Sequence, residues 1–302
     1  RMSRGLGDVY KRQINTSALF NGLDGTTINN STRLCNKNGI TYIEFTPFDK
    51  FDWVKLHFST RLGGVSKGIY SSMNFSFDRG DSYDNVYKNY ELFLDTMELK
   101  PENCVCTKQT HTTNVLVADS SMAGMGLTKP RSYDNVDGLV TNEPGLCLVT
   151  YFADCVPVYF IDPVNKCIGA AHSGWRGTVA DITHETVQLM NRTYGSKPED
   201  IHAFIGPSIC QDCYEVDEAV AEKFRSVYSQ NEIGMILYHT AGDKYQLNLQ
   251  AANYFNMIHA GIKPDNIGIS DICTSCNSDW LFSHRASHGK RGVLCGFMSI
   301  CR

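Results

Sequence analysis

The chain has 302 residues, and 42% of them are hydrophobic, which is enough to bury a sizeable core in one large domain or in two fused halves. Its formal net charge of −4 provides no basic field that would favour nucleic acid or an anionic membrane. No apolar run approaches a membrane span, and no charged-then-apolar signal segment begins the chain. Because twelve cysteines without a secretion signal favour a reducing compartment, we expect a cytoplasmic protein that binds neither nucleic acid nor membrane.

The beginning of the chain differs in composition from the rest. Residues 1–13 read RMSRGLGDVYKRQ, a basic stretch without periodicity, and we interpret them as a non-native or adapter-derived extension. Residues 14–39 are polar and rich in Asn, Thr and Ser, so we expect them to form a loose lead-in. The ordered domain is then expected over residues 40–302, and it should begin with strands at Ile40–Phe45 and Trp53–Phe58.

Strand-like and helix-like segments alternate through the rest of the chain. Apolar residues near a 3.6-residue spacing predict helices at Asn85–Leu99, Val179–Tyr194 and Leu247–Ala260. A Lys-Pro-acid sequence follows each of them, and its proline prevents the helix from continuing before the next strand. The pattern predicts an α+β fold in which mixed β-sheets with flanking helices form a single compact domain.

The segment 150–178 contains a cysteine and a histidine at facing positions of the two strands of a predicted β-hairpin. Apolar, β-branched and aromatic residues fill Val156–Ile161, a turn with Asp, Pro and Asn follows, and Cys167–Ala171 is typical of the return strand. Pairing of these strands would bring the Cys155 sulfur and the His172 ring to the same end of the hairpin. Both are side chains that bind zinc.

His111 is the best candidate for a third ligand. It follows the short strand-like run Cys104–Thr107, which would place it at a strand end or in the loop beyond. Three protein ligands and an open fourth position are typical of a catalytic rather than a structural zinc. A chain with 9 His and 12 Cys contains many such triples by chance, so spacing alone also allows His111 to be an ordinary hydrogen-bonded residue.

Two further cysteine pairs have the C-x-x-C spacing, Cys210 with Cys213 and Cys273 with Cys276. Such pairs are a strong sequence indication of tetrahedral zinc, but these two are much farther apart in the chain than the pairs of a zinc ribbon. They follow analogous strands, which could bring them together. We favour reduced thiols on core strands and loops, and a structural zinc bound by the four cysteines remains the alternative.

Several long motifs resemble the YfiH-like, laccase-domain family of purine nucleoside phosphorylases, which were formerly classed as polyphenol oxidases. The resemblance runs from about Trp53 to the end of the sequence. The segments that carry it are Phe58–Ser66 with Ser72–Asn74, Lys108–His111, Asp137–Thr141 leading to Ala153–Pro157, Ala171–Gly177, Ile205–Pro207 with Cys213–Val216, and Cys273–Thr274 with Leu281–Arg285. His284 and the segment Ser287–Gly292 depart from the family pattern, which affects the expected substrate contacts rather than the metal ligands.

The resemblance implies both a site and an activity. Carried over position by position, the family's metal ligands fall on His111, Cys155 and His172, with zinc as the expected metal. Copper is possible because thiolate and imidazole suit it as well. The implied reactions are the phosphorolysis of adenosine, inosine and S-methyl-5'-thioadenosine to base and pentose 1-phosphate, and the deamination of adenosine. The expected partners are therefore small molecules, purine nucleosides and phosphate.

Polar residues near the motif glycines are the candidate substrate contacts. Arg61, Arg176 and Arg285 could bind phosphate, because a planar guanidinium binds oxyanions through two hydrogen bonds. Asn74 and Gln109 are expected to line the site, and Asp154 is expected to support it from behind. Two alternatives remain: Arg61 could merely pin its own loop, and Arg176 could form an ion pair with Asp154.

Two other functions compete with nucleoside phosphorolysis. One is a copper-dependent polyphenol oxidase, although none of the nine histidines forms the His-x-His pair that a four-copper site needs. The other is a cysteine hydrolase in which Cys155 is the nucleophile and His172 the base. A zinc base deaminase of the His-x-Glu and Pro-Cys-x-x-Cys type is excluded, because no histidine has a glutamate two residues later and isoleucine precedes Cys210.

Overall fold

The computed structural model describes residues 26–301, so the extension predicted for residues 1–13 lies outside the described part. Seven strands form a first sheet, in which five of the six neighbouring pairs are antiparallel. The strands are Thr26–Asn29 (β1), Thr32–Lys37 (β2), Ile40–Phe45 (β3), Val54–Ser59 (β4), Cys104–Cys106 (β5), Cys147–Phe152 (β8) and Leu294–Ile300 (β16). Their order is β1-β2-β3-β4-β16-β8-β5, and only β5 and β8 pair in parallel.

Six strands form a second sheet. They are Val115–Val117 (β6), Gly138–Thr141 (β7), Val156–Asp162 (β9), Cys167–Ser173 (β10), His202–Ile205 (β11) and Ile267–Ile269 (β15). Their order is β15-β11-β9-β10-β7-β6, with parallel pairing at the two edges, between β11 and β15 and between β6 and β7. The central strands β9 and β10 are buried along their whole length, which explains their continuous apolar sequences.

A small third sheet, six α-helices and several short 3-10 turns make up the other regular structure of residues 26–301. The third sheet has the order β12-β14-β13, with strands Glu215–Asp217 (β12), Leu237–Ala241 (β13) and Lys244–Leu247 (β14). The helices are Tyr83–Thr96 (α1), Trp175–Val179 (α2), Ile182–Tyr194 (α3), Glu218–Arg225 (α4), Gln230–Ile236 (α5) and Leu249–His259 (α6). Over residues 26–301, none of the helices is long and apolar enough to cross a membrane.

The two large sheets pack face to face, and helices cover their outer faces. Phe93 of α1 stacks on Phe297 of β16 with ring centroids 4.6 Å apart, which covers one face of the first sheet. Phe58 and Tyr159 belong to the apolar cluster that fills the space between the sheets. Met190 of α3 belongs to a further cluster on the outer face of the second sheet. The result is a helix–sheet–sheet–helix arrangement, which confirms the predicted α+β class.

The predicted helices exist, but one of them is interrupted. The helix predicted at Val179–Tyr194 begins earlier, as α2, and is broken before α3 at Asp181. Asp181 adopts a left-handed conformation with φ of 61°, and its carboxylate accepts a hydrogen bond from the His184 amide as the cap of α3. The break comes from this local capping, which a hydrophobic periodicity does not record.

The prediction that residues 14–39 are a loose lead-in is wrong for its later part. Thr26–Asn29 and Thr32–Lys37 are strands, and β2 pairs with β3 along six residues. Leu34 and Cys35 of β2 are buried, although most of the neighbouring residues are polar. A strand near the edge of a sheet can bury few side chains, so its polar composition concealed it. Residues 14–25 lie outside the described part of the chain.

The predicted hairpin is present and places one connection between the two sheets. Strands β9 and β10 pair from Cys167 opposite Asp162 to Ser173 opposite Val156. The segment 153–155 leads from the end of β8 in the first sheet to the start of β9 in the second. The candidate cysteine, Cys155, therefore lies where the chain crosses from one sheet to the other.

Candidate metal centre and active-site cleft

The structure brings His111, Cys155 and His172 together. His172 lies in β10 opposite Pro157, while Cys155 immediately precedes β9. His111 lies in the loop after β5, where a left-handed backbone with φ of 64° turns the chain towards the hairpin. One ligand atom from each of the three residues lies within 4.8 Å of the others, and the two imidazole rings meet edge to face with centroids 4.9 Å apart.

Gly174 leaves the space in which these three side chains meet. It follows β10 and lies beside Cys155 across the hairpin. A Cβ atom at this position would lie 2.8 Å from Cδ2 of His111 and 3.1 Å from Sγ of Cys155. Both separations are too short for ordinary packing, so any side chain at position 174 would displace a candidate ligand.

Asp137 organises two of the candidate ligands with one carboxylate. This buried group accepts hydrogen bonds from the backbone amides of Thr110, His111 and Thr112 at 2.9–3.1 Å. Its Oδ2 also lies 2.8 Å from Nδ1 of His172. The interaction fixes the orientation of the His172 ring and leaves its Nε2 available to a ligand. Asp137 was not among the predicted site residues, although it directly precedes the apolar strand β7.

Electrostatic coupling shifts the pKa values of these groups in opposite directions. Burial raises the pKa of the Cys155 thiol, but the charge of His172 and a hydrogen bond to His111 outweigh it and bring the pKa to about 6. Burial lowers the pKa of His172, but the Cys155 charge and the Asp137 hydrogen bond raise it to about 9. Burial also opposes ionisation of Asp137, yet its bond to His172 holds that pKa below the usual value. These opposite shifts favour a thiolate–imidazolium pair at Cys155 and His172 in the protein without metal.

The same donor set fits a metal ion. Two imidazoles and one thiolate are ligands that zinc and copper accept, and all three converge on one point at the surface of a cleft. The carboxylate behind His172 is the hydrogen-bond partner that ligating histidines usually have. Three ligands leave a fourth position open towards the cleft, which is the arrangement of a catalytic site.

A cleft of about 690 Å³ opens in front of His111, Cys155 and His172. Its walls combine cationic side chains with aromatic rings, and Asp78 is the one carboxylate among the described residues that line it. The cationic residues are Arg79, Lys108, Arg131, Lys290 and Arg291. The aromatic residues are Tyr70, Phe75, Phe77, Tyr151 and Phe152. Such walls suit a ligand that has an anionic group and a flat ring system.

Arg291 is the most unusual cation in this cleft. Its Nη1 donates to the Gly292 carbonyl at 2.9 Å, while its buried Nε has no hydrogen-bond partner among residues 26–301. Burial and the nearby charge of Arg79 lower the pKa of its guanidinium to about 10. An arginine with unused donors and a neighbouring cation offers favourable contacts to an anion. Arg291 was not among the predicted site residues, because Ser287–Gly292 departs from the family pattern.

Gln109 and Asn74 are both engaged with the protein. Gln109 lines the cleft, but its Oε1 accepts from the Tyr151 amide at 2.7 Å and its Nε2 donates to the Tyr151 carbonyl at 2.8 Å. Asn74 is buried outside the cleft lining, where its Nδ2 donates to Asp81 at 2.9 Å and its Oδ1 accepts from the Val293 amide at 3.0 Å. Their positions indicate that they hold the cleft walls together.

Arg61 lies outside the lining of the cleft. Its Nε donates to the Ser71 carbonyl at 2.9 Å and its Nη1 to the Ser278 carbonyl at 2.8 Å. Its guanidinium lies over the Phe282 ring, 4.7 Å from the centroid. These contacts join two loops, which favours the alternative that Arg61 pins its surroundings, although the partners are carbonyls and not a carboxylate.

Asp154 and Arg176 do not form the ion pair that was one alternative. The Asp154 carboxylate accepts from Oγ1 of Thr274 and from the Arg285 amide, both at 2.7 Å. Its own backbone is left-handed with φ of 90°, directly before Cys155. Arg176 is exposed and lies over the Trp175 ring at 4.2 Å from the centroid. Asp154, which directly precedes the candidate ligand Cys155, therefore holds the segments of Thr274 and Arg285 beside it.

The family model described as "multi-copper polyphenol oxidoreductase laccase" matches residues 55–301. The chain belongs to this laccase-domain family. The match includes every candidate ligand and the whole cleft. It confirms the resemblance seen in the sequence motifs.

Individual relatives in this family have more specific names. Purine nucleoside phosphorylase YlmD from Bacillus subtilis is 35% identical over 247 residues, which cover 80% of this chain and 87% of that protein. Adenosine deaminase RL5, from an unknown prokaryotic organism, is 32% identical over 231 residues, or 76% of this chain and 87% of that protein. The crystal structure of the hypothetical protein YfiH from Bacillus licheniformis superposes with a TM-score of 0.80 at 32% identity, covering 90% of this chain and 97% of that one.

Proposed function

We propose that this protein is a zinc-dependent purine nucleoside phosphorylase that also deaminates adenosine. It would cleave adenosine, inosine and S-methyl-5'-thioadenosine with phosphate into the free base and a pentose 1-phosphate. The observation that carries the proposal is the position of Arg291, whose unused donors line the same cleft as His111, Cys155 and His172. The names of the Bacillus subtilis phosphorylase and of adenosine deaminase RL5 support the two reactions.

The cationic wall would position phosphate for attack on the sugar. In phosphorolysis a phosphate oxygen forms a bond to the anomeric carbon, while the bond from that carbon to the purine nitrogen breaks and its electron pair leaves with the base. Arg291, Arg79 and Lys290 can hold the monoanionic or dianionic phosphate during this exchange. The rings of Tyr70 and Phe77 offer surfaces on which a purine can stack.

The residues around the candidate metal centre would serve the deamination. When bound, a zinc ion would supply a Lewis acid and lower the pKa of water at the open position. His172 is held by Asp137, which keeps a proton on Nδ1 and presents Nε2. Asp137 also fixes the loop that carries His111, so one buried carboxylate sets the positions of both histidines.

A substitution at Arg291 tests the proposal directly. For Arg291→Lys we expect the phosphate Michaelis constant of inosine phosphorolysis to rise about tenfold to a hundredfold, because an ammonium cannot reproduce the paired hydrogen bonds of a guanidinium, which contribute about 1.5–3 kcal/mol. Adenosine deamination needs no phosphate and should change little. Arg192→Lys, an exposed change on α3, is the matched control. An equal loss of both activities would contradict a phosphate-binding role for Arg291.

The cysteine-hydrolase alternative is favoured by the thiolate–imidazolium pair of Cys155 and His172. Alkylation of Cys155 would inactivate the protein under either mechanism, so metal content is the decisive measurement. One equivalent of zinc at this site in active protein, together with base release only when phosphate is present, would exclude the hydrolase. Activity of zinc-containing, copper-free protein on nucleosides would exclude the copper oxidase in the same preparation.

A further inference from the structure

The two C-x-x-C pairs meet at one end of the second sheet. Cys210 and Cys213 follow β11, and Cys273 and Cys276 follow β15. These strands are parallel neighbours, and the bridge between Ser208 and Cys273 continues their pairing beyond the strand ends. Parallel pairing therefore carries both cysteine pairs to the same place, despite their separation in the chain.

The four sulfur atoms have the spacing of a tetrahedral metal site. All four lie within 4.8 Å of one another. Sγ of Cys276 lies 3.5 Å from Sγ of Cys213 and 4.0 Å from Sγ of Cys210. Four sulfurs at the usual zinc–sulfur distance of about 2.3 Å would be about 3.8 Å apart. A disulfide requires about 2.0 Å, and all four cysteines are free.

Backbone amides also point at one of these sulfurs. Sγ of Cys273 accepts a hydrogen bond from the Cys210 amide at 3.2 Å and another from the Cys276 amide at 3.4 Å. The Cys210 amide belongs to the first C-x-x-C loop and the Cys276 amide to the second. Two amide donors on a largely buried sulfur stabilise a thiolate, which is the form that binds metal.

We propose that Cys210, Cys213, Cys273 and Cys276 bind a structural zinc ion, separate from the site at His111, Cys155 and His172. Four protein sulfurs fill all four tetrahedral positions, so no position remains for a substrate. The inference depends only on the geometry of the cysteines and does not rest on the proposed function.

The proposed zinc would brace the residue that precedes Cys155. Ile209, next to the first cysteine pair, donates its amide to the Asp154 carbonyl at 3.0 Å. Thr274, within the second pair, donates its Oγ1 to the Asp154 carboxylate at 2.7 Å. A metal that joins the two loops would hold both of these contacts in place. Its role is to position the loop of the candidate active site.

Metal analysis of matched variants tests this inference. Protein purified under reducing conditions is expected to contain two equivalents of zinc per chain, and Cys276→Ser, which changes the exposed cysteine of the cluster, should lower this to one. Cys301→Ser is the control, because Cys301 is a free cysteine outside both clusters. Full zinc content in Cys276→Ser combined with Cys213→Ser would overturn the proposal.

A second variant keeps the test independent of folding defects and of the proposed function. Cys155→Ala combined with His172→Ala leaves the four-cysteine cluster intact. It should retain one zinc, and X-ray absorption should show four sulfur neighbours at about 2.3 Å. Absence of zinc in this variant, iron in its place, or disulfides among the four cysteines would each contradict a structural zinc site.

Discussion

One added methyl group at Gly174 would disturb the candidate metal centre, because the position leaves no room for a Cβ. We predict that Gly174→Ala lowers kcat/KM for both reactions about a hundredfold, because a Cβ there would displace His111 and Cys155 and small displacements of reacting groups have effects of this size. The backbone of Gly174 has φ of −74°, so alanine fits its conformation. Activity and zinc content should fall together while the melting temperature changes little.

The matched control for this change is Gly234→Ala. Gly234 lies in α5, and a Cβ there would meet nothing within 4 Å. Alanine should therefore leave activity unchanged and stabilise the helix by up to about 1 kcal/mol. Normal activity in Gly174→Ala would show that the side chains at the centre are not packed as described.

A second prediction concerns Arg61. The sequence predicted that Arg61 binds phosphate, whereas its contacts in the structure predict an effect on stability. Because its guanidinium donates to the carbonyls of Ser71 and Ser278, Arg61→Lys should destabilise the protein by about 1–3 kcal/mol through lost hydrogen bonds. Thermal unfolding measures this loss. The ratio of phosphorolysis to deamination should stay constant, whereas a selective rise in the phosphate Michaelis constant would support phosphate binding by Arg61.

The grouping of His111, Cys155 and His172 in one site could be predicted from the sequence, but the roles of Asp137 and Arg291 could not. The hairpin could be predicted from local pattern, and its register determined which side chains share an end. Asp137 and Arg291 depend on contacts between segments that are distant in the chain. No local pattern distinguishes a half-buried arginine with an unpaired Nε from an exposed one.

At the scale of elements, the packing of the two sheets depends on Gly296 in β16. A Cβ at this position would overlap the hydroxyl oxygen of Tyr159 in β9 and lie 2.9 Å from its Cζ. The Tyr159 ring is fully buried between the sheets. We predict that Gly296→Ala destabilises the protein by about 1–3 kcal/mol through overpacking, measured by denaturant unfolding.

Tyr159→Phe provides the rescue for this prediction. Removing the hydroxyl oxygen relieves the closest contact but leaves the ring carbon near the new methyl group. The double variant should therefore recover part of the lost stability, which is the coupling expected of two residues in contact. Additive effects would show that the sheets do not meet at this pair.

Element types were easier to predict than element limits. The three turns that begin at Pro101, Pro198 and Pro264 each precede a strand, as the Lys-Pro-acid pattern indicated. The break at Asp181 and the polar strand β2 were missed. The break depends on a local cap, the Asp181 carboxylate on the His184 amide, which hydrophobic periodicity does not record, whereas β2 depends on pairing with a neighbouring strand.

The charge distribution of the whole molecule leads to a further prediction. The chain carries a net charge of −4, yet cationic side chains dominate the cleft. A cleft focuses the field of its own charges, so phosphate should be attracted despite the net negative charge. Salt screens this attraction, since the Debye length falls from about 10 Å at 0.1 M to about 3 Å at 1 M.

The phosphate Michaelis constant should therefore rise several-fold between these two salt concentrations. The Michaelis constant for inosine, which is neutral, should change much less and serves as the internal control. Steady-state kinetics in potassium chloride measures both. A phosphate constant that is insensitive to salt would argue against a cationic binding wall.

The place of β16 in the first sheet also bears on how the protein is made. This strand lies between β4 and β8, although both precede it by much of the chain. During synthesis on the ribosome, the edges of β4 and β8 that face β16 remain unpaired until residues 294–300 have been made. Such edges invite aggregation, so nascent chains are expected to need chaperones during this interval. Arg291 lies three residues before β16, so the cleft acquires this cation only when synthesis of the domain is almost finished.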